Sequence, residues 1–207
     1  MNNRERRSLN DNPITANEEG KFTGLAAVFD RPSEDLGGFV EYIDKRAFDN
    51  VLAENPDVVA VWNHNENELL GRTKSGTLRL WTTDEGLHYE LDAPNTSLGR
   101  DLRELAARGD VTSSSFAFTV EKQKWEKRDG KKIRRITQIG KLFDVSLVTV
   151  PAYPDATVAL RSLEQFEVEQ SNEAFDKALS IVLRRSVATS KAALACADAE
   201  IKRTPRE

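Results

Sequence analysis

Three side chains in this sequence have the types and settings that acyl transfer requires. The stretch from Val111 to Val120 reads as a β-strand in which three consecutive serines run into a β-branched and aromatic segment. Strand alternation puts Thr112, Ser114, Phe116, Phe118 and Val120 on one face, and the two phenylalanines mark that face as the core side. Val111, Ser113, Ser115, Ala117 and Thr119 share the other face, built of small side chains, as a cleft admitting another chain would be. Ser115 is therefore a better nucleophile candidate than Ser114, while strand phase leaves Ser113 open. Only two histidines could act as its base. His88 lies mid-strand between Leu87 and Tyr89 and reads as a surface residue. His64 ends the apolar run from Val58 to Trp62 where the chain turns abruptly polar, and imidazole is the side chain best suited to proton transfer near neutral pH. Asp144 interrupts the apolar run from Leu142 to Val150, where a carboxylate is costly to bury unless a cation or a hydrogen-bond donor satisfies it.

Together these residues would form an acyl-transfer triad in the chain order His64, Ser115, Asp144. Ser115 would attack the carbonyl, and His64 would take its proton and return it to the leaving amine. Asp144 would hold the imidazole tautomer and stabilise the imidazolium. Bland readings compete at each position. Three serines in a row also suit a solvated edge strand, a lone histidine is more often structural, and one of the many arginines would satisfy Asp144 as well as an imidazole. No metal or cofactor is expected. His64, Glu66 and Glu68 are close in sequence, but His88 and Cys196 lie in unrelated segments, and no zinc spacing or Gly-rich phosphate loop exists.

The elements that must position these residues are mostly strands. Lys21–Phe29, Phe39–Ile43, Val58–His64, Thr77–Thr82, Gly86–Leu91, Val111–Val120, Ile133–Ile139 and Leu142–Val150 read as strands. Pro151 and Pro154 end the last of them. Asp44 is placed to cap a helix running to about Ala53, and Thr96 or Ser97 one over about 98–108, with Gly109 closing it. Asp129-Gly130 is a two-residue hairpin signal amid eight lysines and arginines. The fold class implied is mainly β with helices (α+β), a closed antiparallel-type barrel surrounded by short helices. Residues 1–19 read as a flexible N-terminal segment, 20–161 as the barrel domain, and 162–207 as a polar linker, over 162–173, followed by a helical tail. In that tail Phe175, Leu179, Val182, Leu183 and Val187 recur at helical spacing, as in a helix docked on the domain or on a partner.

Composition narrows the partners. The 207 residues are 39% hydrophobic and 31% charged, which suits a soluble domain with a modest core. No apolar run approaches the about 18 residues of a membrane span, and no secretory signal is visible. A single cysteine fits a reducing compartment, with the cytosol as default. A net charge of −4 and a pI near 5.4 argue against a general nucleic-acid binder. The basic hairpin reads as a solvated edge whose lysines discourage pairing between sheets, with a basic arm for an acidic partner or nucleic acid as the minority reading.

Several segments then resemble one family, the prohead (procapsid) maturation proteases of tailed bacteriophages, relatives of the herpesvirus assemblins. They are Gly24–Phe29, Trp62–Asn65, Leu70–Thr73, Asp84–Leu87, Ser115–Phe118 and Asp144–Ala152, in the family's order and over roughly residues 20–161. The resemblance implies a serine endopeptidase on a β-barrel surrounded by helices, with His64 as base, Ser115 as nucleophile and Asp144 at the position of the third member. Many relatives carry the longer Glu where Asp144 stands, and Gly where Ala117 stands. The herpesvirus enzymes use a second histidine after the serine, a place that His88 does not occupy. The resemblance also implies the substrate and partner, the precursor or scaffold segment of the major capsid protein. It implies action inside the assembling procapsid in the host cytoplasm, self-cleavage, and a homodimer. A non-catalytic capsid-assembly or scaffolding module on the same fold is the competing reading.

Overall fold

Alternating side chains dominate the chain up to Thr149, and the computed structural model turns that pattern into strands. It describes residues 3–9, 14–17, 20–149 and 157–201. In chain order the elements are β1 (Glu5–Leu9), β2 (Thr15–Ala16), β3 (Lys21–Val28), β4 (Phe39–Ile43), α1 (Asp49–Ala53), β5 (Val59–Trp62) and β6 (Asn65–Arg72). They continue with β7 (Leu78–Thr82), β8 (Gly86–Asp92), α2 (Ser97–Ala107), β9 (Ser113–Arg128), β10 (Lys131–Val148) and α3 (Thr157–Ile201). The chain divides into two compact units, Met1–Leu160 and Arg161–Glu207.

The long β9–β10 hairpin is the frame of the first unit. It turns through Asp129 and Gly130, whose φ of 52° and 77° are the left-handed values that a two-residue hairpin turn demands. β1 pairs antiparallel along one edge of β9. Along the other edge of the ribbon, β4 and β5 lie end to end against β10, both parallel to it. The order is β1-β9-β10-β5-β6, with β4 also on β10. A second, antiparallel sheet runs β2-β3-β8-β7. Both sheets feed one hydrophobic cluster, with Phe22, Leu87, Tyr89 and Leu91 from the second and Phe116, Phe118, Val145 and Leu147 from the first. Phe116 stacks on Phe118 at 4.7 Å and meets Phe48 at 5.8 Å. Burial of each such ring stabilises the fold by roughly 1.5–3 kcal/mol, so the core face of β9 is strongly specified, and with it the opposite face.

Four expectations need correction. Among the described residues no sheet closes into a barrel. The first sheet ends at β1 and β6, the second at β2 and β7, and β4 and β5 run parallel to β10. Alternation reveals which residues are strands but carries no record of which edges meet. Residues 1–19 are not simply a flexible lead, because Glu5 and Arg7 of β1 are buried charges held in ion pairs. The helix expected from Asp44 begins only at Asp49. Asp44 instead builds a turn, its carboxylate accepting from Arg46 N at 3.1 Å and its carbonyl from Ala47 N at 2.9 Å. Finally, the linker expected over 162–173 is continuous helix within α3, where Phe175, Leu179, Val182 and Leu183 are exposed. α2 forms as its pattern demands, with Thr96 as the cap accepting from Gly99 N at 3.3 Å and Leu102 buried. Pro151, Pro154 and the Val187 side chain lie outside the described residues.

Candidate active site

The serine run sorts as its alternation requires. Ser114 turns to the core side, where its hydroxyl meets the buried Tyr89 hydroxyl at 2.8 Å. That contact ties the second sheet to β9, and burial pushes the Tyr89 phenol up despite it. Gly24, paired with Tyr89 across β3–β8, leaves the room, since a Cβ there would stand 2.8 Å from the Tyr89 oxygen. Ser115 projects from the other face. In the β9–β10 register it lies opposite Ser146, and Ala117 lies opposite Asp144. Ser115, Asp144 and Ser146 therefore share one face of the ribbon.

His64 reaches that face from a hairpin. β5 and β6 join through the two residues Asn63 and His64, at φ 52° and 58°, with Trp62 paired to Asn65. Both conformations are left-handed. Asn tolerates them, but a turn of this kind ordinarily carries Gly second, and a non-Gly residue there costs of order 1–3 kcal/mol. The surrounding structure enforces it. Asn63 N donates to Leu147 O at 3.0 Å, and Asn63 Oδ1 accepts from Thr149 N at 3.1 Å. The turn is thus sewn to the end of β10, and the imidazole folds back over Ser115 and Asp144.

The ring bridges those two groups. His64 Nδ1 lies 2.6 Å from Asp144 Oδ1, and Nε2 lies 2.7 Å from Ser115 Oγ. Ser146 Oγ donates to Asp144 Oδ1 at 2.8 Å and stands 3.0 Å from His64 Nδ1. Arg4, just before β1, donates to Asp144 Oδ2 and, at 3.0 Å, to Glu66 Oε1. Asp144 is fully buried, which by itself pushes its carboxyl up. The hydrogen bond and charge of His64, then the Ser146 and Arg4 bonds, outweigh burial and hold it below the ordinary carboxylate range. Asp144 is accordingly an ionised acceptor at neutral pH. Ser115 is fully buried too, and its hydroxyl also reaches the Arg7 carbonyl at 2.9 Å. Its single proton can point to that carbonyl or to His64 Nε2.

The arrangement can perform nucleophilic acyl transfer, with a hydroxyl beside an imidazole whose far nitrogen is oriented by a carboxylate. The three sequence candidates are brought together, and the nitrogen facing β9 reaches Ser115. His88 is elsewhere, stacked on Trp81 at 5.5 Å with Nε2 2.8 Å from Thr83 Oγ1. Arg4, Arg7 and Ser146 are participants that sequence reasoning missed. Ser146 had a signal, because period two puts it on the face of Asp144. Arg4 and Arg7 had none, their partners in the site lying 140 and 108 residues away.

The family model described as caudovirus prohead serine protease matches residues 5–171. No curated protein matches. A solved structure, that of the bacteriophage T4 capsid assembly protease gp21, aligns at 12% identity and a TM-score of 0.42, covering 70% of this chain and 99% of that one.

Proposed function

Because the chain belongs to the caudovirus prohead serine protease family, we propose that His64, Ser115 and Asp144 are the residues with which it cuts the capsid protein precursor during head maturation. The observation that carries this reading is the bridging imidazole, 2.6 Å from Asp144 and 2.7 Å from Ser115. Ser115 Oγ attacks the scissile carbonyl as His64 Nε2 takes its proton. The tetrahedral intermediate collapses when the imidazolium passes that proton to the leaving amine. Water, deprotonated by the same nitrogen, then hydrolyses the acyl-enzyme and regenerates Ser115. Asp144 accepts from Nδ1–H throughout, selecting the tautomer that leaves Nε2 free and stabilising the cation. Asp144 closes the distance to His64 despite being one methylene shorter than Glu, because β10 sets it only two residues from the position opposite Ser115.

The finer parts of the reading are the cutting of scaffold segments, self-cleavage within the 162–207 tail, a homodimer like that of the herpesvirus enzymes, and a procapsid in the host cytoplasm. The change from a β unit to a long helix near residue 160 supports a separable tail. The test is intact-mass spectrometry over time on wild type, Ser115→Ala and Ser113→Ala, each alone and with capsid precursor. Clipping by wild type and Ser113→Ala, absent in Ser115→Ala, is the expected result. Equal clipping by Ser115→Ala contradicts the assignment.

A further inference from the structure

The Asp144 carboxylate has more partners than a triad needs, and one of them also touches the base. We propose that Ser146 is a positioning residue for the reaction, a hydroxyl that fixes the Asp144 carboxylate and the His64 ring in their working orientation. The inference rests on the triad reading above. Its ground is the three-way contact: Ser146 Oγ is 2.8 Å from Asp144 Oδ1 and 3.0 Å from His64 Nδ1, which are themselves 2.6 Å apart.

A carboxylate held by one imidazole N–H can still turn about its terminal torsion, which is soft. Here Oδ1 accepts from both His64 and Ser146, and Oδ2 accepts from Arg4. Donors from three separate segments, the β5–β6 turn, β10 and the residue before β1, thus fix the carboxylate plane. The hydroxyl oxygen also offers Nδ1–H a second, weaker acceptor, so the proton is held on Nδ1 from two directions. That leaves Nε2 as the unprotonated nitrogen facing Ser115, the condition for general-base catalysis.

The strand explains why a serine stands here. Val145 and Leu147 turn to the apolar cluster, while Ser146, fully buried, faces the site directly opposite Ser115. Burying a hydroxyl without a partner is costly, so a polar residue in this run must be satisfied where it lies, and the groups within reach are those of the triad. Charged and titratable groups facing the pair are Asp144 from β10, Arg4 from the segment before β1, and Glu66 of β6 through Arg4.

A merely satisfied hydroxyl and a positioning one predict different results. The variants are Ser146→Ala and Ser146→Thr, the second keeping the hydroxyl. Two readouts apply: the second-order rate of inactivation by diisopropyl fluorophosphate, and the His64 imidazole tautomer from ¹⁵N spectra in a Ser115→Ala background. With only two histidines in the chain, His88→Gln assigns the signals. In Ser146→Ala we expect inactivation to slow about tenfold or more and the His64 signals to shift from the Nδ1–H form toward a mixture. Ser146→Thr is expected within about threefold of wild type, with the Nδ1–H form restored. An unchanged tautomer in Ser146→Ala overturns the proposal, whether its rate is normal or lowered, because a lowered rate alone would be a packing effect. A wild-type His64 found as the Nε2–H form, or an adduct forming equally in Ser115→Ala, would overturn the triad reading itself and so is distinguishable.

Discussion

Two buried polar clusters flank the same strand, and they put the same kinds of group to opposite uses. The first is a quartet of Glu5 and Arg7 from β1, Glu41 from β4 and Arg134 from β10. Arg7 grips Glu41 through two bonds of 2.8 and 2.9 Å, and Arg134 bonds Glu5 at 2.7 and 2.9 Å and Glu41 at 2.8 Å. Two carboxylates face two guanidiniums, and Arg134 Nε is taken up by Gln123 Oε1 at 2.6 Å. The second cluster is Asp144, His64, Ser115 and Ser146, with Arg4 at its rim. Among its described partners the Asp144 carboxylate meets one guanidinium, that of Arg4, which Glu66 shares, and otherwise a hydroxyl and an imidazole whose far nitrogen faces the Ser115 hydroxyl. What separates the two clusters is therefore not burial but an imidazole set between a carboxylate and a hydroxyl. β1 serves both, with the Arg7 side chain in the quartet and the Arg7 carbonyl on Ser115.

The sharpest way to break the comparison is to neutralise one acid in each cluster. Asp144→Asn offers His64 an amide in place of an ion and disfavours the working tautomer, so proteolysis of capsid precursor is expected to fall about 10⁴-fold. Urea unfolding of the same variant should move less than that of Glu41→Gln. Glu41→Gln leaves two buried guanidiniums on one carboxylate and is expected to destabilise by roughly 3–5 kcal/mol. Its activity per folded molecule should stay near that of wild type. If the two variants lose activity alike and stability alike, the division of labour is wrong.

Acid provides a smaller, graded test. Burial pushes the Glu5 carboxyl up, but the bonds and charges of Arg134 and Arg7 outweigh it and hold Glu5 low, as Asp144 is held. A carboxyl depressed on folding contributes stability that is full above its unfolded pKa and is lost as pH falls through the folded one. Urea midpoints should thus be level near neutrality and fall once pH drops below the ordinary carboxylate range of about 4. Glu5→Gln should be less stable at neutral pH, with a shallower acid slope, and an unchanged slope would show that the quartet does not drive it.

The same contrast explains what the sequence reveals. Ser115 is legible because Phe116 and Phe118 announce the core face of β9, His64 because a buried strand stops there, and Asp144 because an apolar run has one carboxylate. Each signal is local and periodic. The quartet is illegible because Glu5 and Arg7 find Glu41 and Arg134 across 34 to 129 residues, and a charged N-terminal stretch with few apolar residues reads as solvated chain. The open sheets are missed for a related reason, since pairing β4 and β5 end to end along β10 leaves no trace in either strand's alternation.

Whether Ser115 is the nucleophile can be read by treating the native protein with diisopropyl fluorophosphate and mapping the adduct by peptide mass spectrometry. One adduct is expected, on Ser115, abolished in His64→Ala and in heat-unfolded protein. An adduct on Ser113, or one on Ser115 that persists without His64, would contradict that assignment.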